Sequence, residues 1–332
     1  MKAMILNACG PIEQNPLRKS EAPKPEPGPF KILIRISACG ICHTDLHVIE
    51  GELPQKKLPV IPGHQIVGVV EEAGQKVTRF KKGDRVGIPW LNSACGECSF
   101  CKSGKENLCD DIRFTGYHVN GGYAQYAAAN ENFAYHIPQK FSDIKAAPLL
   151  CAGIIGYRSL RLSEIKKGER LGLYGFGASA HIVIQIAVYK GIEVYVFTRS
   201  EEHRKLAEKL GAAWTGRAED TPPALLDSSI IFAPAGKLVI DALRVLQKGG
   251  TLALAGIHMS PIPEMDYNLI YHERTIRTIA NSTRQDAREL LEIAAKIPIE
   301  TEVKTYKLSE ANLALRDLKH SKIQGAGVLE IT

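Results

Sequence analysis

The feature that most limits the possible folds is an alternation of segments beginning near residue 152. Leu171–Tyr174 reads as a short strand, Ala178–Lys190 as a helix and Glu193–Phe197 as a second strand. Glu201–Leu210 follows as a helix, Ser229–Phe232 as a strand, Gly236–Gln247 as a helix and Thr251–Ala255 as a strand. Strands alternating with helices of this length make βαβ units, and so a parallel sheet. Within it, Gly175-Phe176-Gly177-Ala178-Ser179-Ala180 follows a strand and opens a helix. Gly175 permits a tight turn, Gly177 lets a pyrophosphate approach the backbone, and Ala180 keeps helix and strand close. The first turn, from Ala178, offers unpaired N–H groups and positive potential to phosphates. This context favours a dinucleotide site over a turn that is merely rich in glycine.

The end of the second strand sets the cofactor. A site for NAD normally has an acid there, bonded to the adenosine ribose hydroxyls. This chain has Thr198 instead, followed by Arg199 and Ser200. A carboxylate would repel a 2′-phosphate, whereas a guanidinium and two hydroxyls would hold it. NADP(H) is therefore favoured over NAD(H). The alternative keeps NAD, bound through Thr198 and Ser200, with Arg199 on a solvated helix start.

The first 150 residues read differently, as strands and loops. Ala3–Leu6, Lys31–Ile36, Ile66–Glu71 and Arg85–Ile88 are short β-rich segments between Gly and Pro punctuation. The run Pro23–Pro29, with four prolines in seven residues, is an extended connector. This half suits a partly open barrel that carries loops. After residue 283 a helix, Gln285–Lys296, and two short strands are too little for a separate domain and are expected to return to the first. With 332 residues, two domains are the natural division.

Hydrophobic residues make up 45% and charged residues 23%, ordinary for a globular enzyme. The net charge of +6 is scattered, which suits an anionic cofactor but falls short of a nucleic-acid footprint. No run approaches the roughly 20 apolar residues of a membrane helix, and the N-terminus has no cleavable export segment. A cytoplasmic protein is expected, and its eight cysteines are then thiols rather than disulfides.

Most of those thiols fall at metal-ligand spacings. Cys95, Cys98, Cys101 and Cys109 lie in one small loop, roughly residues 92–112, and make a closed site for structural zinc. With no open coordination position, such a site orders the loop but activates nothing. An iron–sulfur cluster or a redox thiol group are the other readings. Separately, Cys42-His43-Thr44-Asp45, His47, His64 and Cys151 offer two thiolates and imidazoles, the donor set of a zinc that keeps one position open for substrate. Cys9, on a short apolar strand, reads as a buried small hydrophobe.

Taken in order, Gly40–His47, Gly63-His64, the four-cysteine loop, Gly121–Tyr126, Cys151-Ala152-Gly153 and the Gly-rich loop resemble the zinc-dependent alcohol dehydrogenases of the medium-chain dehydrogenase/reductase family. The match spans essentially the whole chain. It implies an α/β architecture: a GroES-like β-rich catalytic domain, residues 1–151 with 283–332, and a Rossmann doubly wound parallel-sheet domain, residues 152–282. Substrate and both reactive centres are expected to meet in a cleft between them.

The resemblance implies two zinc ions per chain, with Cys42, His64 and Cys151 as ligands of the catalytic one. Cys39 then matches no ligand position and is a packing thiol. Asp45 matches the acid that orients the ligating imidazole. Thr44 and His47 match a proton relay that carries the alcohol proton out of a water-poor pocket. His43 matches a contact to the cofactor pyrophosphate, and Trp90 an aromatic wall that favours small or linear primary alcohols. Hydride is expected to pass reversibly between alcohol and nicotinamide, and assembly as a homodimer or homotetramer is implied.

Three positions depart from the family pattern. Gln65 stands where a glutamate is usual behind the zinc, Ala326 where relatives often carry a phosphate-binding arginine, and Thr198 where the ribose acid is expected. Two other readings compete. A zinc-free quinone or enone reductase on the same architecture would have no need of the three open-site ligands. A non-catalytic zinc- and nucleotide-binding redox sensor would give Thr44 and His47 no role.

Overall fold

The structure, a computed structural model, describes residues 1–331. The chain divides into two units: Met1–Cys151 with Ser282–Ala295 and Glu300–Thr332, and Ala152–Asn281 with Lys296–Ile299.

The first unit opens with β1 (Lys2–Leu6) and β2 (Leu17–Glu21), paired antiparallel, and the long β3 (Lys31–Ile41). Helix α1 (His43–Glu50), β4 (Gln65–Ala73) and β5 (Arg85–Ile88) follow. Strands β6 (Leu91–Ser93) and β7 (Arg113–Phe114) pair with each other and bracket the short helix α2 (Ser99–Lys102). Strands β8 (Tyr126–Asn130) and β9 (Tyr135–His136) and helix α3 (Asp143–Ala146) complete this segment. The run Pro23–Pro29 lies in the connector between β2 and β3, outside regular structure.

The second unit holds α4 (Ala152–Leu162), β10 (Arg170–Tyr174), α5 (Ala178–Tyr189), β11 (Glu193–Phe197), α6 (Glu201–Lys209) and β12 (Trp214–Gly216). It continues with β13 (Leu226–Ile231), α7 (Lys237–Arg244), β14 (Leu246–Leu254) and β15 (Thr275–Thr278). Helix α8 (Arg284–Lys296), β16 (Val303–Lys307), α9 (Ala311–Lys319) and β17 (Ala326–Glu330) then close the chain.

The main sheet of the first unit runs β16-β17-β3-β4-β5-β9, with β8 paired to the first half of β3. Ile32, Ile34 and Ile36 recur every second residue along β3 and enter a core with Ile66, Val70, Val86, Ile88 and Tyr123. β-Branched residues at that period suit a pleated, buried surface. The return of the chain after residue 283 is structural, because β17 pairs antiparallel with β3 through Gly327↔Ile41 to Glu330↔Ala38.

In the second unit the strands are parallel, in the order β12-β11-β10-β13-β14-β15. The chain moves outward from β10 in one direction and then starts again on its other side. The switch point between β10 and β13 is where doubly wound sheets bind ligands. Tyr174, at the end of β10, stacks on Phe197 with ring centroids 4.2 Å apart.

Four features differ from the sequence reading. Helix α1 occupies a stretch read as strand and loop. Helix α7 stops at Arg244, and Leu246-Gln247 already belongs to β14, where Leu246 pairs with Leu226. Helix α9 lies between the two terminal strands, its Ala311, Ala314 and Leu315 buried. Cys9 lies beyond β1 and is only partly buried, its Sγ 3.4 Å from the Val48 carbonyl. Among the described residues, no helix is long and apolar enough to cross a membrane.

Candidate active site

Antiparallel register builds the first constellation. Gly40 of β3 lies opposite Gln65 of β4, so the residue just after one strand meets the residue just before the other. Those residues are Cys42 and His64, and Cys42 Sγ lies 3.3 Å from His64 Nε2. Cys151, which ends the buried turn Ala147–Leu150, brings its Sγ to 4.0 Å from that of Cys42. A tetrahedral zinc with ordinary bond lengths separates its ligand atoms by about 3.5–3.8 Å. The separations of 3.3 and 4.0 Å bracket that range, and all three donor atoms lie within 4.8 Å of one another. Two soft sulfurs and one imidazole are a zinc donor set that leaves a fourth position free.

Cys42 is also the N-cap of α1. Its Sγ accepts from the Thr44 N–H at 3.3 Å, while the Asp45 carboxylate reaches back to the Cys42 N–H at 2.9 Å. A cap made by cysteine rather than serine or threonine is why the helix was hard to see in the sequence. The other Asp45 oxygen faces His64 Nδ1 at 3.0 Å and the Gly63 N–H at 3.2 Å. Asp45 thus holds the ring whose Nε2 points at the sulfurs. Gln65 is buried beside it, packed over Gly40.

The electrostatics of the cluster are those of a cation site. The Cys151 thiol beside it, and then the charge of His64, hold Cys42 well below the usual thiol range. The same shared hydrogen bond, together with burial, pushes Cys151 well above it. Burial disfavours a charged His64, but Asp45 and Cys42 on either side outweigh this and hold it up at about 10. Cys42 is thus held toward the thiolate while His64 and Cys151 hold protons that a dication would displace, which would leave two thiolates and a neutral imidazole.

Thr44 and His47 stand one turn apart on α1, and His43 is exposed at its first position. His47 Nδ1 is hydrogen-bonded to Glu52, a partner that the sequence reading did not include. Trp90 is buried, with its ring 4.8 Å from that of His64 in an edge-on arrangement. It stacks on Phe114 at 4.7 Å and on Tyr117 at 6.0 Å, two more residues the sequence reading passed over.

The second constellation is the four-cysteine loop. Cys95 Sγ lies 3.5 Å from Cys109 Sγ and 3.8 Å from Cys101 Sγ, and all four sulfurs fall within 4.8 Å of one another. Backbone N–H groups of Cys98 and Cys101 point at the sulfurs of Cys95 and Cys98, at 3.3 and 3.5 Å. The N–H groups of Glu97 and then Cys98 lower Cys95 to about 7, while burial pushes Cys101 up to about 12. All eight cysteines of the chain are free of disulfides, and Cys39 lies buried in β3, apart from both groups.

The Gly-rich loop sits at the switch point of the parallel sheet. Gly175 has φ +87°, and a side chain there would press on Ala233 at 2.9 Å. A side chain at Gly177 would instead enter open space, the room a closely approaching phosphate needs. Gly177 is the N-cap of α5 and Ala178 its first residue, with no side chain capping the exposed N–H groups. At the end of β11, Thr198 is buried and its N–H bonds to the Gly216 carbonyl at 2.8 Å. Arg199 is exposed. Ser200 caps α6 by accepting from the His203 N–H at 3.2 Å, and its hydroxyl donates to Glu202 at 2.7 Å. The sequence reading counted Ser200 but not this neighbouring carboxylate.

Comparison with known proteins shows the family. The profile of the alcohol dehydrogenase GroES-like domain matches residues 28–139, and that of the zinc-binding dehydrogenases matches residues 180–296. A probable alcohol dehydrogenase, AdhA, of Mycobacterium tuberculosis is 48% identical over 100% of this chain and 97% of its own length. The Helicobacter pylori CAD complexed with NADP(H) superposes with a TM-score of 0.88 at 27% identity, covering 99% of each chain. A cobalt- and zinc-bound alcohol dehydrogenase from Pyrobaculum aerophilum gives 0.90 at 25% identity, again covering 99% of each. Full-length agreement in sequence and in fold leaves one classification: the chain belongs to the zinc-type alcohol dehydrogenases of the medium-chain dehydrogenase/reductase family, oxidoreductases of alcohols and aldehydes that work with zinc and a nicotinamide cofactor.

Proposed function

We propose that the chain reversibly transfers hydride between a primary alcohol or its aldehyde and NADP(H), with one catalytic and one structural zinc per chain. The observation that carries the reading is the convergence of Cys42 Sγ, His64 Nε2 and Cys151 Sγ on one point, with Asp45 behind the imidazole. Zinc held there supplies Lewis acidity, which polarises a carbonyl or makes a hydroxyl easier to deprotonate. The remaining roles belong to the chain itself. Asp45 fixes the tautomer and angle of His64. Thr44 takes the alcohol proton on its hydroxyl, and His47 receives it farther along α1. Trp90, braced by Phe114 and Tyr117, shapes the wall against which the carbon chain lies and favours unbranched substrates. Cys95, Cys98, Cys101 and Cys109 hold the second ion and with it their loop.

For the cofactor, the proposed contacts are His43, Gly175, Gly177 and Ala178 at the pyrophosphate and Thr198, Arg199 and Ser200 at the adenosine ribose. The exposed guanidinium and the lack of an acid at Thr198 support NADP(H). The catalytic domain is taken as residues 1–151 with 283–332, and the dinucleotide domain as 152–282. A cytoplasmic homodimer or homotetramer completes the proposal.

The test is metal analysis beside turnover. Chelation should abolish aldehyde reduction and zinc should restore it, with NADPH the better reductant. Full activity in metal-free protein would overturn the reading in favour of a zinc-free reductase.

A further inference from the structure

Behind Asp45 stands a tyrosine whose hydroxyl is unused. Tyr123 is wholly withdrawn from water, and its O–H has no hydrogen-bond partner among the described residues. A buried hydroxyl left unpaired is costly, so its presence calls for a reason. The residue is fixed at its backbone, where its N–H donates to the Pro62 carbonyl at 2.9 Å and its carbonyl accepts from the Met4 N–H at 2.8 Å. Its ring lies against Gly63, which has φ +95° and where a Cβ would drive into the ring. The same Gly63 donates its N–H to Asp45 Oδ1 at 3.2 Å. Only a residue without a side chain lets the phenol come so close to the pair formed by Asp45 and His64.

Asp45 has room for one more donor. An ionised carboxylate offers about four lone-pair positions. The Gly63 N–H and His64 Nδ1 occupy Oδ1, and the Cys42 N–H occupies one position on Oδ2. Burial, and after it the charge of Asp45, pushes the Tyr123 phenol well above its ordinary range, so it stays a donor. We infer that Tyr123 is a positioning residue for the metal-loaded centre, its hydroxyl the fourth donor to the Asp45 carboxylate behind His64. The inference rests on the reading of Cys42, His64 and Cys151 as a metal site. A carboxylate held by four donors keeps its angle, and with it the angle of the imidazole whose other nitrogen faces the sulfurs. Tyr123 is no ligand itself, and its influence runs through Asp45.

The test is chelator competition for zinc with the parent, Tyr123→Phe, Asp45→Asn and the double variant, the zinc lost on Cys42→Ser marking this centre. Tyr123→Phe keeps the ring that packs on Gly63 and removes only the hydroxyl. It should lower zinc affinity about tenfold. In the Asp45→Asn background the same change should cost less than about twofold, since the carboxylate it serves is gone. In the Cys42→Ser background, where only the four-cysteine loop is loaded, Tyr123→Phe should hold or raise the melting temperature, because an unpaired buried hydroxyl has been removed. A packing role would instead lower that melting temperature and cost the same zinc affinity beside Asp45 or Asn. Either that result or an unchanged affinity in Tyr123→Phe would overturn the inference and leave the metal site standing. A Cys42→Ser chain that binds as much zinc as the parent would remove the site itself, and this inference with it.

Discussion

His64 Nδ1 and Asp45 Oδ1 stand 3.0 Å apart, and both side chains are almost wholly withdrawn from water. A carboxylate behind a ligating imidazole raises its basicity and locks its angle. Asp45→Asn keeps a hydrogen-bonding side chain but removes the charge. Zinc affinity at the Cys42–His64–Cys151 centre should then fall about 10- to 100-fold. Competition with a graded series of chelators measures this, and an unchanged affinity would mean that Asp45 serves only to cap α1.

The two cysteine centres should separate by function. Cys42→Ser should lose turnover while the fold and the four-cysteine ion persist. Cys98→Ser should first lose solubility or assembly, because the ion proposed there would order its loop. Elemental analysis and light scattering of both variants, beside activity, check the division. Identical behaviour of the two would refute it.

In the proposed function Arg199 sets the preference for NADP(H). Losing a charge-assisted bond to a 2′-phosphate costs about 1.5–3 kcal/mol, or roughly 10- to 150-fold in binding. Arg199→Ala should raise KM for NADPH by about that factor and leave NADH nearly unaffected. Glu202, tied to Ser200, puts a negative charge near the same place, so Glu202→Gln should favour NADPH further. A parent enzyme preferring NADH a hundredfold would reverse the assignment of Arg199.

Acid should loosen the four-cysteine loop through a single carboxylate. Burial raises Glu106, but the N–H and guanidinium of Arg284, both 2.9 Å away, outweigh this and hold it below its usual range. A lowered folded value adds stability that is complete above the ordinary glutamate pKa of about 4.3. That stability is lost as pH falls through the lower, folded value. Glu106→Gln should cost about 1–2 kcal/mol at pH 7, discounted for the partly exposed guanidinium. It should also flatten the decline in stability below about pH 4.3. Urea melts at pH 7 and in mild acid measure both, and parallel curves for parent and variant would contradict the assignment.

Periodicity and glycine placement made the dinucleotide half readable. Glu193–Phe197 is the strand the sequence suggested, and the Gly175–Ala180 loop lies at the switch point. These signals are local, so they survive in a single sequence. Helix α1 was not readable, because its cap is a cysteine and its span is only eight residues. Helix α9 is nine residues long and buries little more than two alanines and a leucine, a weak apolar stripe. The Glu52–His47 contact spans five positions across a left-handed glycine, a spacing that no helical or strand period announces. Cys42, His64 and Cys151 carry no spacing rule either. Register between β3 and β4 brings the first two together, and the turn ending at Leu150 supplies the third.

Strand β3, which leads into Cys42, receives β17 as one of its neighbours only when residues 326–330 have been made. On the ribosome, the parallel-sheet unit can therefore close while the strand beside the future metal centre still lacks that partner. A chain released before residues 326–330 are made would leave the β3 edge along Ala38–Ile41 bare, a template for aggregation.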